Sequence, residues 1–145
     1  MDKLDKTLLE LLQEDGRMTV SELSKRLSLS RPSISERMLR LQEKGVILGF
    51  SARLSPAALG RSVQVIIQLR EVKISAAEFE QRIKGFEEII ECHRVTGVIS
   101  YIIKAAVTSM DELSLLVERF MPFGDVITSV ILASPIVDRP LLFHE

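Results

Sequence analysis

The amino-acid sequence predicts an α+β protein, with a small helical unit followed by a unit of mixed helices and strands. The chain has 145 residues, enough for one ordinary domain or two small ones. In the first part of the chain, apolar residues recur with the period of an α-helix. After about residue 60 the period changes to the alternation of β-strands, interrupted by two helical stretches. We therefore expect units at residues 1–54 and 62–145, joined by a linker at 55–61.

Two amphipathic helices open the first unit. One face of the first predicted helix, over residues 2–14, carries Leu4, Leu8, Leu11 and Leu12. The turn signal Asp15-Gly16 ends this helix. Thr19 and Glu22 then form a capping box, in which each side chain can bond an unpaired N–H group at a helix start. This pattern predicts a second, short helix over residues 20–27.

The third predicted helix follows a tight turn and starts at Pro32, where the missing N–H costs nothing. Its inner face is formed by Ile34, Met38 and Leu41. The opposite side presents hydroxyl and charged groups, with the two later arginines projecting outward. From this helix we expect DNA contacts by Arg31, Pro32, Ser33, Glu36, Arg37 and Arg40.

The charge of the first unit indicates an anionic partner. Residues 17–53 hold eight basic and three acidic residues, whereas the whole chain has a net charge of −1. A short helix, a tight turn and a longer polar helix make a helix-turn-helix, whose second helix enters a major groove. Residues 46–54 add a predicted two-stranded wing bent at Gly49. We predict double-stranded DNA as the partner, against the alternative of a three-helix bundle with a solvated charged face.

The sequence of the second unit predicts strands and helices in the order βαββαβ. Strands are predicted at residues 63–70, 89–95, 99–107 and 126–133, with helices after Ser75 and Ser109. This order is the ferredoxin-like plan, one antiparallel sheet with both helices on one face. Helices can cover only one sheet face, yet both faces carry apolar residues. We therefore expect a homodimer interface on the second face, at Ile66, Ile102 and Ile131.

Composition excludes several other classes. A single cysteine, Cys92, rules out an internal disulfide framework, and two histidines, His93 and His144, are too few for a Cys/His zinc site. Cys92 and His93 are neighbours on a strand and point to opposite faces, so no Cys–His catalytic pair is expected. No apolar run is long enough to span a membrane and no secretory signal is found. We expect a cytoplasmic, nucleoid-associated protein without metal or cofactor.

Motifs in both units together carry a family resemblance. They are Leu4-Asp5, Leu27-Ser28-Leu29-Ser30, Val46-Ile47, Cys92-His93-Arg94-Val95-Thr96-Gly97 and Thr128-Ser129-Val130-Ile131-Leu132. On these segments the chain resembles the feast/famine regulators, the Lrp/AsnC family of bacterial and archaeal transcription factors. The resemblance implies a winged helix-turn-helix joined to a ferredoxin-like module that dimerises and often forms octamers. It also implies that amino acids or related small molecules can bind between subunits.

The resemblance implies an effector site near the turn between the second and third predicted strands and near the last strand. The residues expected there are Thr96, Gly97, Val98, Ser100, Tyr101, Thr128 and Ser129, although Tyr101 also suits a core or interface position. Family members often carry aspartates just after the glycine, where this chain has Val98-Ile99-Ser100. An α-ammonium group needs an acceptor, ideally a carboxylate. We therefore expect standard amino acids to bind weakly or not at all.

Three functions follow from these expectations. The first is a sequence-specific, non-enzymatic transcriptional regulator with a possible small-molecule effector. The second is an architectural protein that wraps or bridges DNA without an amino-acid effector, which the missing aspartates favour. The third is an enzyme, since a few relatives with this two-module plan are tetrapyrrole decarboxylases that use His and Arg near the second strand, where His93-Arg94 lies. No further acid–base constellation supports the enzyme.

Overall fold

The computed structural model describes residues 1–143, so that His144 lies outside the described residues. The chain forms two compact units, one of Met1–Ala52 with the segment from Ile136 onward, the other of Arg53–Pro135. Among the described residues, none of the helices is both long and apolar enough to cross a membrane. The α+β class and the order of the two units agree with the sequence analysis.

Three helices build the first unit: α1 (Lys3–Glu14), α2 (Val20–Leu27) and α3 (Arg31–Glu43). Each begins after a residue whose side-chain oxygen accepts a backbone N–H of the first turn, namely Asp2, Thr19 and Ser30. The apolar face of each helix points inward, because burying that face supplies most of the stability of short helices. The resulting core contains Leu8, Leu9, Leu23, Ile34 and Leu41.

A tight turn joins α2 to α3. Ser28 adopts a left-handed conformation, with φ 54° and ψ 41°, and its N–H donates to the carbonyl of Ser24. The Ser24 hydroxyl in turn donates to the carbonyl of Leu29. These bonds satisfy the end of α2 while the chain turns toward α3. The geometry is that of a helix-turn-helix.

The wing predicted over residues 46–54 is wrong for a single chain, because no strand forms in this stretch. The N–H groups of Val46 and Ile47 both donate to the carbonyl of Leu41, which closes α3 instead of starting a hairpin. The side chain of Leu48 is 95% exposed and that of Leu54 is 66% exposed. The alternating apolar pattern is real, but strands form only where a second strand supplies hydrogen bonds.

The segment from Ile136 onward belongs to the helical unit, whereas the sequence analysis assigned it to the second unit. Phe143 packs against the helical core, and the ammonium group of Lys6 lies 5.8 Å from the centre of its ring. The Gln13 side chain exchanges two hydrogen bonds with the backbone of Leu141, at 2.8 and 3.1 Å. These contacts join the end of the described chain to the compact helical unit, whereas the predicted second unit runs to residue 145.

The second unit has four strands and two helices: β1 (Val63–Arg70), α4 (Ala76–Ile83), β2 (Ile89–Arg94), β3 (Ile99–Val107), α5 (Met110–Phe120) and β4 (Asp125–Val130). The strands form one antiparallel sheet in the order β2-β3-β1-β4. Both helices start at serine caps, Ser75 and Ser109, as the sequence indicates. This topology is the expected ferredoxin-like fold.

The core of this unit lies between the helices and one face of the sheet. Alternate residues of β1 and β3 point into it, together with apolar residues of α4 and α5. Its fully buried side chains include Val65, Ile67, Leu69, Phe79, Ile103, Leu116 and Phe120. Because side chains alternate along a strand, the residues between these positions face the other way. They form the open face of the sheet, which the helices do not cover.

Candidate DNA-binding surface and effector site

The outward face of α3 is the candidate DNA-binding surface. Of the six residues predicted to contact DNA, Arg31, Pro32 and Glu36 are exposed. Ser33, Arg37 and Arg40 are half-buried instead. Ser33 lies in the first turn, where its backbone N–H donates to the hydroxyl of Ser30. The structure therefore divides the predicted set into an outward-facing half and a half turned toward the rest of the unit.

The expectation that Arg37 projects from the outer side of α3 is wrong. Its Nη1 lies 2.7 Å from Oδ2 of Asp2 and 2.7 Å from Oδ1 of Asp5, and its side chain is only 18% exposed. Arg40 turns the same way, with its Nη2 3.2 Å from Oδ1 of Asp5, but stays 43% exposed. Asp5 is itself buried, with 3% of its surface exposed. Arg37 therefore holds α3 against the start of α1.

The charges in this cluster stabilise one another. The hydrogen bond from Arg37, and then the bond from the Asp5 backbone, lower the pKa of Asp2. Burial raises the pKa of Asp5, but the hydrogen bonds from Arg37 and from the Asp2 backbone outweigh it, so that the net shift is downward. The same two carboxylates raise the pKa of Arg37. Arg37 and the two carboxylates of Asp2 and Asp5 thus stay ionised at neutral pH. A charged group with little exposure to water is stable only when such a partner is present.

Acid is expected to remove this stabilisation. A carboxyl whose pKa is lower in the folded state than its ordinary value of 3.8 stabilises the fold above that value. The contribution is lost as the pH falls through the lower pKa of the folded state, where Asp5 takes up a proton. We expect the difference in unfolding free energy between the wild type and an Asp5→Asn variant to be largest near neutral pH and to shrink below about pH 4. Urea unfolding at several pH values measures this difference. A difference that does not change with pH would contradict the assignment.

One exposed stripe of α3 was underestimated by the sequence analysis. Ser35 and Leu39 lie on the outward face with Pro32 and Glu36, and all four are exposed. Neither Ser35 nor Leu39 is among the six residues predicted to contact DNA.

The β2–β3 turn borders a small cavity in the second unit. Gly97 stands at the turn with a positive φ of 104°, a conformation that other residues rarely adopt. The cavity has a volume of about 230 Å³ and is lined by Val72, Ile74, Ala76, Arg94, Val95, Gly97, Ser100 and Tyr101. Three of the predicted effector residues, Gly97, Ser100 and Tyr101, therefore meet at one place. Thr96 and Val98 flank Gly97 as exposed turn residues.

The other two predicted effector residues lie elsewhere. Thr128 and Ser129 belong to β4, at the opposite edge of the sheet from β2. Three strand spacings, about 14 Å, separate the two edges. Thr128 also pairs with Ile67 of the core face, whereas Ser129 pairs with Ile66 of the open face. The predicted set of seven is therefore not gathered within one chain, and it stays a prediction, because the resemblance implies a site between subunits.

An acidic residue that the sequence analysis missed lies beside the cavity residues. The Tyr101 hydroxyl donates to Oε1 of Glu80 at 3.0 Å, and Nε of Arg94 lies 3.4 Å from the same oxygen. Burial and then the bond to Glu80 raise the pKa of Tyr101. Glu80 lies 21 residues before Tyr101 in the chain, and α4 brings the two side chains together.

The predicted dimer residues share the open face of the sheet. Ile66 pairs in register with Ser129 and Lys104, Ile102 pairs with Gln68 and His93, and the Ile131 N–H donates to the Gln64 carbonyl. Directly paired residues point the same way, so these positions form one surface. Ile127, which pairs with Gln68, adds a further exposed apolar group.

Cys92 and His93 point to opposite faces of the sheet, as predicted. Cys92 packs against the core, and burial raises the pKa of its thiol. His93 is exposed on the open face, with its Nε2 3.1 Å from Oε2 of Glu91. This arrangement does not bring the thiol and the imidazole together.

Comparison with known proteins agrees with this geometry. Residues 1–47 match a family model described as winged helix-turn-helix DNA-binding, and residues 62–141 match the Lrp/AsnC ligand binding domain. The HTH-type transcriptional regulator YezC of Bacillus subtilis is 37% identical over 134 residues, covering 92% of this chain and 95% of that protein. The leucine-responsive regulatory protein of Escherichia coli K12 is 38% identical over 113 residues, which are 76% of this chain and 69% of that protein.

The fold is also shared with solved structures of regulators. The structure of the transcriptional regulator NMB0573 from Neisseria meningitidis, in complex with L-Met, superimposes with a TM-score of 0.86 and 29% identity, covering 94% of this chain and 93% of that one. Both units of the chain are thus matched, by sequence models and by three-dimensional structure. The chain belongs to the Lrp/AsnC family of DNA-binding transcriptional regulators.

Proposed function

We propose that this regulator binds specific DNA sequences as a homodimer or larger assembly, with one α3 helix in each half-site. The observation that carries the proposal is that one side of α3 is held by ion pairs and the other side is exposed. Arg37 is bound to Asp2 and Asp5 on the inner side of the helix. Arg31, Pro32 and Glu36 are exposed on its outer side. A helix fixed on one side and exposed on the other suits base readout in a major groove. Such a protein works where the DNA is, in the cytoplasmic nucleoid.

The open face of the sheet supports the dimer. Ile66, Ile102, Ile127 and Ile131 lie on the side of the sheet that the helices leave uncovered, and a two-fold partner with the same face can bury them. The unpaired segment 46–54 adds a second reason, since Leu48 and Phe50 are exposed on a stretch with strand-like alternation. A dimer also supplies the two reading helices that paired half-sites require.

The cavity beside Gly97 supports regulation by a small molecule. It combines apolar walls, Val72 and Ile74, with a guanidinium group, Arg94, which can bind a carboxylate. The similar Neisseria protein was crystallised with L-Met, and the similar Escherichia coli protein is named for its response to leucine. Glu80 is the nearby acid, but its Oε1 already accepts from Tyr101 and pairs with Arg94.

An architectural role without an effector is the second candidate. The observation that favours it is the run Val98-Ile99-Ser100, in which no carboxylate follows Gly97. Selection of bound sequences from a random DNA pool, with and without a mixture of amino acids, separates the two functions. A regulator enriches a defined motif, and an effector changes the enrichment. Uniform binding of all sequences would favour the architectural role and contradict specific readout.

We expect the standard amino acids to bind with millimolar affinity at best. The ammonium group of a bound amino acid must be paired, and one lost hydrogen bond to a charged group costs about 1.5–3 kcal/mol, roughly ten- to a hundredfold in affinity. Isothermal titration calorimetry of the wild type measures the affinity directly. A Val98→Asp variant is expected to bind more tightly, because it returns a carboxylate to the turn.

An Ile99→Asp variant is the control for added charge, which it places one residue later, at the start of β3. Micromolar binding of any standard amino acid to the wild type would contradict the expectation. If that binding is lost in a Glu80→Gln variant, Glu80 is the acceptor that replaces the missing aspartates.

A further inference from the structure

Four of the exposed residues of α3 form a continuous stripe along the helix. Pro32, Ser35, Glu36 and Leu39 follow the i, i+3, i+4, i+7 spacing that aligns side chains along one side of a helix. Ile34, Met38 and Leu41 face the core, and Arg37 is held by Asp2 and Asp5. The rotation of α3 about its own axis is thus fixed by contacts on its inner side. The stripe, together with the exposed Arg31, Gln42 and Glu43, is what this helix presents to a bound ligand.

The stripe contains an exposed leucine, Leu39. Leu39 is 57% exposed, and Glu36, one turn before the end of the stripe, is acidic. An isolated exposed leucine is common and needs no explanation. This leucine, however, belongs to the helix that a helix-turn-helix inserts into DNA, and it shares its face with the exposed Pro32, Ser35, Glu36, Gln42 and Glu43.

The major groove offers one apolar group at the base edges, the C5-methyl of thymine. Phosphates and the other base edges are polar or charged, so a leucine side chain gains nothing from them. We infer that Leu39 is a specificity-determining residue, which packs on the C5-methyl group of a thymine in the DNA site. The inference rests on the proposed reading of DNA by α3, and it adds which base is selected and by which side chain.

The selected sequences provide the first test. A thymine is expected at one fixed position of each half-site in the sequences that the wild type enriches. A Leu39→Ala variant is expected to lose the preference at that position and to keep the preferences at the others. Enrichment of a motif with no such position would overturn the inference, while the proposed sequence-specific function would stand. Failure to enrich any motif would contradict that function itself.

A double-mutant cycle gives the second test, in which the thymine methyl group and the Leu39 side chain are removed separately and together. Replacing the selected thymine by deoxyuridine removes only the C5-methyl group and leaves base pairing intact. We expect this replacement to weaken binding of the wild type about fourfold, the effect of one buried methyl group. Binding of Leu39→Ala is expected to be the same on both DNAs. Equal losses for the two proteins would show that the methyl group does not contact Leu39 and would overturn the inference.

The matched control is Leu115→Ala. Leu115 lies on α5 in the second unit and is 61% exposed, so the change removes a leucine of comparable exposure outside α3. This variant is expected to respond to deoxyuridine as the wild type does. Far-UV circular dichroism and thermal unfolding verify that both alanine variants are folded. Fluorescence anisotropy with the two synthetic duplexes measures each affinity.

Discussion

Replacing Arg37 with methionine is expected to lower the free energy of unfolding of the helical unit by about 2–3 kcal/mol. The change leaves the buried carboxylate of Asp5 with only Arg40, whose Nη2 lies 3.2 Å from it. A carboxylate with 3% exposure cannot recover the lost bond from water. Because α3 is then less firmly held against α1, DNA binding weakens too. Urea unfolding and anisotropy titrations measure the two effects.

The dependence of DNA binding on salt concentration distinguishes an arginine that positions α3 from one that contacts a phosphate. A residue that neutralises a phosphate contributes about one unit to the slope of log K against log salt concentration. We expect Arg37→Met to leave this slope unchanged, because its guanidinium is bound to Asp2 and Asp5. A slope that falls by one unit would show that Arg37 leaves the cluster and contacts phosphate.

Arg40→Met is the matched control for this variant. It removes the same charge from the same helix, but Arg40 is 43% exposed and its closest approach to Asp5 is longer than that of Arg37. A smaller loss of stability is therefore expected. If Arg40 reaches phosphate, its replacement flattens the salt slope while that of Arg37 does not.

Placing a carboxylate on the open face of the sheet is expected to convert the assembly to monomers. In an Ile66→Glu variant the new charge lies opposite Lys104 on β3, so the isolated chain can pair it and stay folded. In a two-fold dimer the change buries one such charge from each subunit. We expect the dissociation constant of the dimer to rise at least a hundredfold, because burying a charge without full solvation costs several kcal/mol.

DNA affinity should fall with the assembly, since a monomer holds only one half-site. Sedimentation velocity reports the mass of the assembly, and circular dichroism verifies the fold. Leu115→Glu is the control, because it adds the same charge to an exposed leucine of α5, away from the sheet. An unchanged mass for Ile66→Glu would show that the assembly uses another surface.

Local sequence was sufficient for most elements. The span of α2 was predicted without error, because Thr19 and Glu22 form the capping box that starts it. The alternation that ends in Leu69 located β1, and the serine caps located the starts of α4 and α5. Each of these signals depends on residues within a few positions of one another, so no knowledge of the tertiary structure was needed.

Local signals were not sufficient where the structure depends on residues far away in the sequence or on another strand. The alternation in residues 46–54 predicted a wing, but a strand needs a second strand, and none pairs with it within the described chain. The seven effector residues stay a prediction, because the resemblance implies a site between subunits, and within one chain the strand order places Thr128 and Ser129 across the sheet from the turn at Gly97.

The sequence by itself therefore determined the fold class, the order of the two units and the position of the helix-turn-helix. Tertiary structure decided what the charged side chains do. Arg37 contacts Asp5 across 32 positions of the chain, and Tyr101 contacts Glu80 across 21. Helix periodicity gives the angle of a side chain about its own helix, but a long arginine beside the apolar stripe can turn either way. Only the packing of α1 against α3 supplies the buried carboxylate that directs Arg37 inward.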